Sequence, residues 1–421
     1  MVAEPVTPSP PEPVRGPSRR ARWAVPVVVG AVVAGAFAAP ALVASADADL
    51  PELTPAELLA NVAGAEPVAL SGTVVHTARL GLPDLPLEEL QGASPLDLLG
   101  GSSTIRVWSD GEDRSRLALL GDLSEFSVVR DGAEAWTYSS RDDEAVHYTV
   151  APEDLAAYEE LDEAAREGAA PEVAGDLPTP EQAADALVAY AALSTDVSVG
   201  TATEVAGRDA YQLGLVPRTD GTLVERVLVA VDAETFTPLR VQVWSTKDAQ
   251  TPALEIGFTD VSFATPDDAV FDFSAPAGAS TSEVEVPLPD PADHPSPGAD
   301  ELTRAPEGVA VTGTGWETVV TVEGVDVAGL LAGDPASATA LPGVERSLGS
   351  AGAQDLYGEL VGEDGQGPGL PEIDATALYE QLTEEVPEGR LLSSALLSVL
   401  VTDDGRVLVG SVPAEVLRDL A

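Results

Sequence analysis

Hydrophobic and polar residues alternate along much of this chain, and a period of two is typical of half-buried β-strands. The stretch VLVAVDAETFTPLRVQVW, residues 227–244, shows the pattern on both sides of a polar turn. Its alternating apolar positions are Val227, Val229, Val231, Leu239, Val241 and Val243. The pattern predicts a β-hairpin with one apolar and one polar face, and it places Arg240 on the polar side with Gln242 and Trp244.

The same alternation recurs on both sides of this hairpin. We predict strands over residues 68–80, 103–110, 114–121, 125–132, 133–140, 144–150, 195–207, 208–217, 222–232, 238–246 and 252–264. The connections between most of them are too short for parallel crossovers, and Asp110-Gly111 and Asp131-Gly132 are hairpin-turn signals. About ten or eleven strands therefore form an antiparallel sheet.

Three segments carry helical signals instead: residues 53–65, 152–170 and 179–194. In the first, Thr54 is the expected N-cap, Pro55 occupies the first helical position, and Glu57 completes a capping box. The predicted fold is α+β, with a large curved antiparallel half-barrel sheet capped by helices over residues 47–280.

A proline-rich segment without apolar periodicity, residues 281–305, is predicted to be a linker. Residues 306–421 are predicted to form a small α+β C-terminal domain. Its expected elements are a strand over 315–327, a helix over 374–386, a hairpin over 390–412 that turns at Asp403-Asp404-Gly405, and a closing helix.

The N-terminus has the features of a targeting segment. Residues 1–22 are rich in proline and arginine. The next 24 residues, 23–46, carry no charge and form a segment long enough to span a bilayer as a helix. The basic tail predicts a cytoplasmic N-terminus with the bulk of the chain outside, as a single-pass protein of the cell membrane. Small residues at Ala44–Ala46 leave a secreted protein cleaved after Ala46 as an open alternative.

Charge and cysteine content exclude several classes of function. The chain has 71 acidic and 21 basic residues, for a net charge of −50. Such a chain repels phosphates, so we expect no nucleic-acid partner. The absence of cysteine excludes disulfides, thiolate catalysis, cysteine zinc sites and a lipid-modified N-terminal cysteine.

No residue pattern predicts catalysis, a metal site or a cofactor. His76 and His147 fall in predicted strands, where they could be neighbours across the sheet, but ordinary strand histidines are expected. There is no G-x-S-x-G elbow. The acidic loops at Asp110–Ser115 and Gly362–Gly367 lack the EF-hand spacing and are interpreted as solvated loops. We therefore expect a protein that is not an enzyme.

Large apolar side chains on the predicted strands are the remaining candidates for function. They either pack a core or line an apolar cavity inside a curved sheet, and the sequence leaves both interpretations open. The candidate wall consists of Trp108, Phe126, Trp136, Tyr148, Tyr211, Val229, Val241, Trp244, Phe258 and Phe263.

Three motifs in the second half of this region resemble a known family. They are a D-x-x-T-x-x-P-L-R turn (Asp232, Thr235, Pro238, Leu239, Arg240), an F-x-D-V strand (Phe258, Asp260, Val261) and a closing F-x-F-x-x-P-x-G (Phe271, Phe273, Pro276, Gly278). This pattern is similar to the end of the domain in LolA-type lipoprotein carriers and their MucB/RseB relatives. The resemblance covers about residues 53–278, and residues 406–421 are faintly similar to the end of the RseB C-terminal domain.

The resemblance implies an unclosed half-barrel over an apolar cavity that holds acyl chains of lipids or lipoproteins. The expected function is that of an extracytoplasmic lipid- or lipoprotein-binding protein, a LolA-like carrier or chaperone. The alternative is an RseB/MucB-like envelope-stress regulator, whose C-terminal domain binds a membrane protein such as an anti-sigma factor.

Overall fold

The computed structural model describes residues 50–82, 98, 100–121, 123–152, 154–158, 191–286, 308–332, 337 and 375–421. These residues form two β-sheets with few helices, which confirms the predicted α+β class. The predicted targeting segment, most of the two helices predicted over 152–194, the linker from residue 287 onward and the acidic loop at 362–367 lie outside the described residues.

The first sheet contains thirteen strands in the described part of the chain, where the sequence predicted ten or eleven. A single helix, α1 (Pro55–Gly64), precedes them. The strands are β1 (Leu70–Ala78), β2 (Gly101–Ser109), β3 (Arg114–Leu120), β4 (Glu125–Asp131), β5 (Glu134–Ser139), β6 (Glu144–Val150), β7 (Thr195–Val199), β8 (Thr203–Val205), β9 (Arg208–Pro217), β10 (Val224–Asp232), β11 (Pro238–Ser245), β12 (Leu254–Ser262) and β13 (Ser280–Val286).

The helix α1 begins at the predicted capping box. Thr54 Oγ1 accepts a hydrogen bond from the Glu57 backbone N at 3.2 Å, and Glu57 Oε2 accepts one from the Thr54 backbone N at 2.8 Å. Leu58 is fully buried in the core of the first sheet. The cap therefore fixes where the helix starts, and Leu58 fixes which side of it faces the sheet.

The order of strands across this sheet is β13-β6-β5-β4-β3-β2-β1-β12-β11-β10-β9-β7, and β8 pairs with β9. Strands β2 to β6 form the predicted antiparallel meander. Strand β12, which follows the hairpin of β10 and β11, pairs with β1, so it lies beside the first strand of the fold.

Two details of the sheet differ from the sequence prediction. The strand expected over 195–207 is divided into β7 and β8, and Ala206 and Gly207 then form a turn with positive φ angles. Strand β13 pairs in parallel with β6, so the sheet continues to Val286 into the segment predicted as linker.

The sheet has two distinct faces. We call the face that contacts α1 the inner face, since Leu58 belongs to the same buried cluster as Val74, Ile105 and Val241. The opposite side is the outer face. Successive residues of a strand point to opposite faces, so the strand register assigns each side chain to one of them.

In the described residues from 308 onward, the second sheet contains six strands in the order β14-β15-β19-β18-β17-β16. Its elements are β14 (Val309–Thr312), β15 (Val319–Val322), α2 (Val327–Leu331), α3 (Ala375–Leu382), β16 (Glu384–Val386), β17 (Gly389–Ser393), β18 (Ser398–Thr402), β19 (Val407–Gly410) and α4 (Ala414–Leu420). The predicted turn at residues 403–405 joins β18 to β19, and the predicted closing helix is α4. Leu400, Leu408 and Leu417 form the centre of its core.

Direct contacts join the second sheet to the first, which the sequence did not predict. Trp316 is 8% exposed within the core of the first sheet, and its Nε1 donates a hydrogen bond to Thr195 Oγ1 at 2.8 Å. The backbone N of Ala395 donates to the carbonyl of Leu80 at 2.6 Å. The two sheets are therefore in direct contact at these residues, in addition to being parts of one chain.

The predicted placement as a single-pass membrane protein is contradicted. In the part of the chain that the structure describes, no helix combines the length and the apolar character needed to cross a bilayer. The apolar segment at residues 23–46 lies outside that part.

Candidate functional site

Apolar side chains remain partly exposed on the inner face of β2 to β6. We call this set the inner strip: Val107, Leu117, Phe126, Val128 and Tyr148. In the strand register Val107 opposes Leu117, and Leu117 opposes Val128. All five side chains are half-buried. The inner strip is thus an apolar surface that the described residues cover only in part, with Thr137 and Ala135 of β5 lying between Val128 and Tyr148 in the register.

The inner face of β9 to β12 is packed differently. Nearly all of its apolar side chains are buried: Tyr211, Leu213, Val227, Val229, Val231, Leu239, Val241, Val243, Ile256 and Phe258. They surround Leu58 of α1 in one cluster. This half of the inner face, which we call the filled half, leaves no comparable surface among the described residues.

The border between the two halves contains a buried histidine. His76 lies on β1 and opposes Ser103 of β2 and Ile256 of β12, so it faces inward. Its side chain is 5% exposed, and it forms no hydrogen bond with any residue that the structure describes; Nδ1 is fully enclosed. Burial lowers the pKa of His76, so the imidazole is neutral at pH 7.

The second strand histidine occupies the outer face. The His147 ring stacks on Trp136 with ring centres 4.1 Å apart, and its Nε2 lies 3.2 Å from Glu134 Oε2. His76 on β1 faces inward and His147 on β6 faces outward, so the two histidines are not neighbours. Among the described residues no group of histidine, aspartate and glutamate side chains could hold a metal ion.

The ten residues of the predicted cavity wall are divided between the two faces. Six face inward: Phe126, Tyr148, Tyr211, Val229, Val241 and Phe258. Trp108, Trp136 and Trp244 face outward, and Phe263 follows β12, where the Arg208 guanidinium lies 5.0 Å from its ring centre. That any of them lines a ligand cavity stays a prediction.

The sequence analysis missed three members of the inner strip, namely Val107, Leu117 and Val128. They were passed over because the candidate set favoured aromatic side chains. The alternation of the predicted strands does indicate these residues, because the strand register places all three on the same face of the sheet as Phe126.

The outer face of β3 to β6 is covered by the chain segment that follows β12. Phe271 is 3% exposed, and the Arg114 guanidinium lies 5.1 Å from its ring centre. The Phe273 ring centre lies 5.3 Å from that of Trp136. The closing F-x-F motif therefore packs the outer face, which leaves the inner strip as the candidate binding surface.

The D-x-x-T-x-x-P-L-R motif is explained by the turn between β10 and β11. Asp232 is fully buried and accepts hydrogen bonds from Arg208 Nε at 2.8 Å and from the backbone N of Thr235 at 2.8 Å and of Glu234 at 3.1 Å. Burial alone would raise the pKa of Asp232, but the hydrogen bonds from Arg208, Thr235 and Glu234 together lower it. The motif therefore shapes the turn and carries no chemistry.

Arg240 has the predicted orientation in an unexpected environment. It shares the outer face with Gln242 and Trp244, as predicted, but it is 3% exposed instead of lying in water. Strand β8 covers it, and Arg240 Nη2 lies 3.5 Å from Thr203 Oγ1. Burial lowers the pKa of Arg240, and the nearby charge of Glu255 opposes that shift.

Comparison with solved structures finds chains of similar fold. The fold is similar to that of MucB. The MucA/MucB complex of Pseudomonas aeruginosa matches with a TM-score of 0.35 and 16% identity, over 86% of this chain and 94% of that chain. Another structure, of MucB in complex with MucA(peri), has a TM-score of 0.36 and 15% identity, over 85% of this chain and 92% of that chain.

A LolA superfamily protein from Nitrosomonas europaea matches with a TM-score of 0.19 and 11% identity, over 53% of this chain and 99% of that chain. No protein-family model and no curated protein matches the sequence. The LolA-like and MucB-like resemblance predicted from the motifs is confirmed as a likeness of fold alone.

Proposed function

We propose that the protein binds the acyl chain of a lipid or lipoprotein along the inner strip, as a carrier or chaperone without catalytic activity. The observation that supports this is the half-buried apolar surface on β2 to β6, beside an inner face that is otherwise filled. Large apolar surfaces that a fold leaves uncovered are typical of binding sites.

The dimensions of the strip suit an extended hydrocarbon. From β2 to β6 it crosses four inter-strand spacings, about 19 Å in all. Each methylene group that moves from water onto such a surface contributes about 0.8 kcal/mol when it is fully buried. An acyl chain needs no charged partner, so the net charge of −50 does not oppose its binding.

A matched pair of substitutions tests this proposal. Val128→Asp places a carboxylate on the inner strip, whereas Val216→Asp places one on the outer side of β9, where Val216 is already 41% exposed. We expect Val128→Asp to weaken binding of a fluorescent acyl probe at least about tenfold, because the probe can no longer cover that position without burying a charge. Val216→Asp should leave the affinity unchanged.

Circular dichroism of both variants shows whether each remains folded. Native mass spectrometry of the protein purified from its host then tests for a bound lipid directly. A wild-type protein that carries no lipid and takes up no probe, or full affinity in a folded Val128→Asp variant, would contradict acyl-chain binding.

A protein partner for the second sheet is the other candidate function. The solved MucB complexes contain MucA, and in this chain Val416 and Leu420 lie four residues apart on α4, 36% and 38% exposed. Residues at this spacing share one side of a helix. A double Val416→Glu, Leu420→Glu variant of the full chain should lose a membrane-protein partner that co-purifies with the wild type. Substitution of the exposed Glu415 by Gln is the control, and equal co-purification by all three proteins would contradict this role.

A further inference from the structure

One arginine of the first sheet differs in orientation from the others. In the strands that the structure describes, this sheet carries seven arginines and no lysine. Six of the arginines point to the outer face: Arg106, Arg114, Arg116, Arg208, Arg226 and Arg240. Arg130 points to the inner face, because it lies two residues after Val128 of the inner strip on the same strand, β4.

Arg130 lies at the margin of the inner strip, where the inner face is open to solvent. In the strand register it opposes Ser115 of β3, which is exposed, and Ala135 of β5, whose side chain is a single methyl group. Ala135 in turn opposes Tyr148, which belongs to the inner strip. Arg130 itself is half-buried. A ligand that lies on the inner strip can therefore reach the guanidinium.

Hydrogen bonds hold this guanidinium in position. Arg130 Nε donates to the carbonyl of Gly132 at 3.3 Å, and Nη2 donates to the hydroxyl of Tyr158 at 2.8 Å, which itself donates to the same carbonyl at 2.8 Å. A guanidinium is planar and can bond a carboxylate or a phosphate through two N–H groups at once. Because Arg130 is already positioned, it loses less conformational entropy when it binds an anion.

The charges around the inner strip favour an anion at this position. The net charge of −50 repels anions in general, so an anionic ligand needs a local positive charge. The neighbouring carboxylates of Asp131 and Glu134 lie on the outer face. Glu144 faces inward, but it precedes Tyr148 by four residues on β6, about 13 Å along the strand. Arg130 therefore favours an anionic headgroup over a neutral one.

We propose that Arg130 binds the anionic headgroup, a carboxylate or a phosphate, of a lipid whose acyl chain lies along the inner strip. The inference rests on the proposed function and adds to it the charge of the headgroup and the residue that recognises it. In this arrangement the headgroup lies near Ser115 and Ala135, and the acyl chain extends over Val128 and Leu117.

Three ligands with the same oleoyl chain separate recognition of the headgroup from recognition of the chain. Oleate carries a carboxylate, oleoyl lysophosphatidate carries a phosphate, and monooleoylglycerol carries no charge. Each competes against a fluorescent acyl probe, below its critical micelle concentration, on the wild type and on Arg130→Gln, Arg130→Lys, Tyr158→Phe and Arg106→Gln. Arg106 is exposed on the outer face of β2, so Arg106→Gln is the matched control for the loss of one positive charge. Circular dichroism shows whether each variant remains folded.

We expect the wild type to bind both anionic ligands more tightly than monooleoylglycerol. Arg130→Gln should weaken the two anions about tenfold, the effect of one lost charge-assisted contact, and leave monooleoylglycerol nearly unchanged. Arg130→Lys should retain part of the affinity, because the charge stays and the two-donor geometry is lost. Tyr158→Phe should weaken the anions less than Arg130→Gln does, since the guanidinium remains. Arg106→Gln should match the wild type.

The results that would overturn the proposal are distinguishable. If oleate binds best, the headgroup is a carboxylate, and if oleoyl lysophosphatidate binds best, it is a phosphate; both results support the proposal. If a folded Arg130→Gln variant binds all three ligands equally weakly or as well as the wild type, if Tyr158→Phe loses as much as Arg130→Gln, or if monooleoylglycerol is preferred, headgroup recognition by Arg130 is wrong while acyl-chain binding stands. If the wild type binds none of the three, the proposed function fails, and this inference fails with it.

Discussion

The filled half and the inner strip are parts of one face of one sheet, yet they differ in what covers them. Over β9 to β12, α1 inserts Leu58 among buried valines and leucines. Over β2 to β6, the described cover includes Tyr158, whose hydroxyl accepts a hydrogen bond from Arg130 Nη2 at 2.8 Å and donates one to the carbonyl of Gly132 at 2.8 Å. The first cover is apolar and closes a core, whereas Tyr158 contributes a hydrogen-bonded hydroxyl group, and the inner strip stays half-buried in the part of the chain that the structure describes.

This contrast shows what strand alternation does and does not specify. Val128 and Val229 occur in equally regular strands, and both face inward. Val229 is 5% exposed and belongs to a packed cluster, whereas Val128 is half-buried. Alternation therefore specifies the face, and packing by another element decides whether that face becomes core or surface.

The largest expected effect is at the turn of the filled half. Replacing Asp232 by Ala leaves Arg208 without its buried partner and removes the acceptor for the backbone N of Glu234 and of Thr235, so we expect a loss of about 3–5 kcal/mol in the free energy of unfolding. The matched control is Asp131→Ala at the turn between β4 and β5. Asp131 is exposed, and its replacement should change stability by less than about 0.5 kcal/mol.

Urea unfolding of both variants, followed by circular dichroism, measures the difference. Equal stabilities for Asp232→Ala and Asp131→Ala would show that the buried turn network does not stabilise the filled half.

Leucine truncations compare the two halves directly. Leu239 is 1% exposed in the filled half, and Leu239→Ala should destabilise the protein by about 2–4 kcal/mol without a specific effect on acyl-probe binding. Leu117 belongs to the inner strip and is half-buried, so Leu117→Ala should cost about 1 kcal/mol in stability and weaken probe binding.

Thermal unfolding measures the stability of each variant, and titration with the acyl probe measures its binding affinity. The division between core and binding surface would be wrong if Leu239→Ala, measured well below its melting temperature, weakened the probe as much as Leu117→Ala.

Capping of α1 is expected to have a smaller effect. Thr54→Ala removes the acceptor for the Glu57 backbone N and should destabilise the protein by about 1 kcal/mol. The exposed Thr201, between β7 and β8, provides a threonine-to-alanine control that should be neutral. A loss of stability in Thr201→Ala as large as that in Thr54→Ala would contradict a specific role for the cap.

Much of this fold follows from local sequence signals. The capping box at Thr54, the hairpin at residues 227–244 and the turn at residues 403–405 depend on neighbouring residues, and the structure confirms all three. The parallel pairing of β13 with β6 was missed because it joins residues more than 130 positions apart. Its exposed residues Thr281 and Glu283 also lack a clear apolar alternation.

The environments of Arg240 and Trp316 could not be predicted for a similar reason. Alternation placed Arg240 on the correct face, but its burial depends on β8, which folds back from a different hairpin. Trp316 was part of a predicted strand in the second domain, and nothing in its local sequence indicates that Thr195 of the first sheet accepts its Nε1 hydrogen bond. Contacts of this kind are set by tertiary packing, which a single sequence does not display.

The pH dependence of stability is the smallest expected effect, and it reports on the border between the two halves. Burial holds the pKa of His76 below the 6.5 of an exposed histidine, so the unfolded chain binds a proton more readily than the folded one. The contribution of His76 is therefore fully present above about pH 6.5 and is lost as the pH falls from there towards the folded-state pKa.

Subtracting the stability of His76→Leu from that of the wild type isolates this contribution from the many carboxylates. Between pH 8 and pH 5, the difference should shift against the wild type. A difference curve that is flat with pH would contradict the burial of the His76 imidazole in the folded protein.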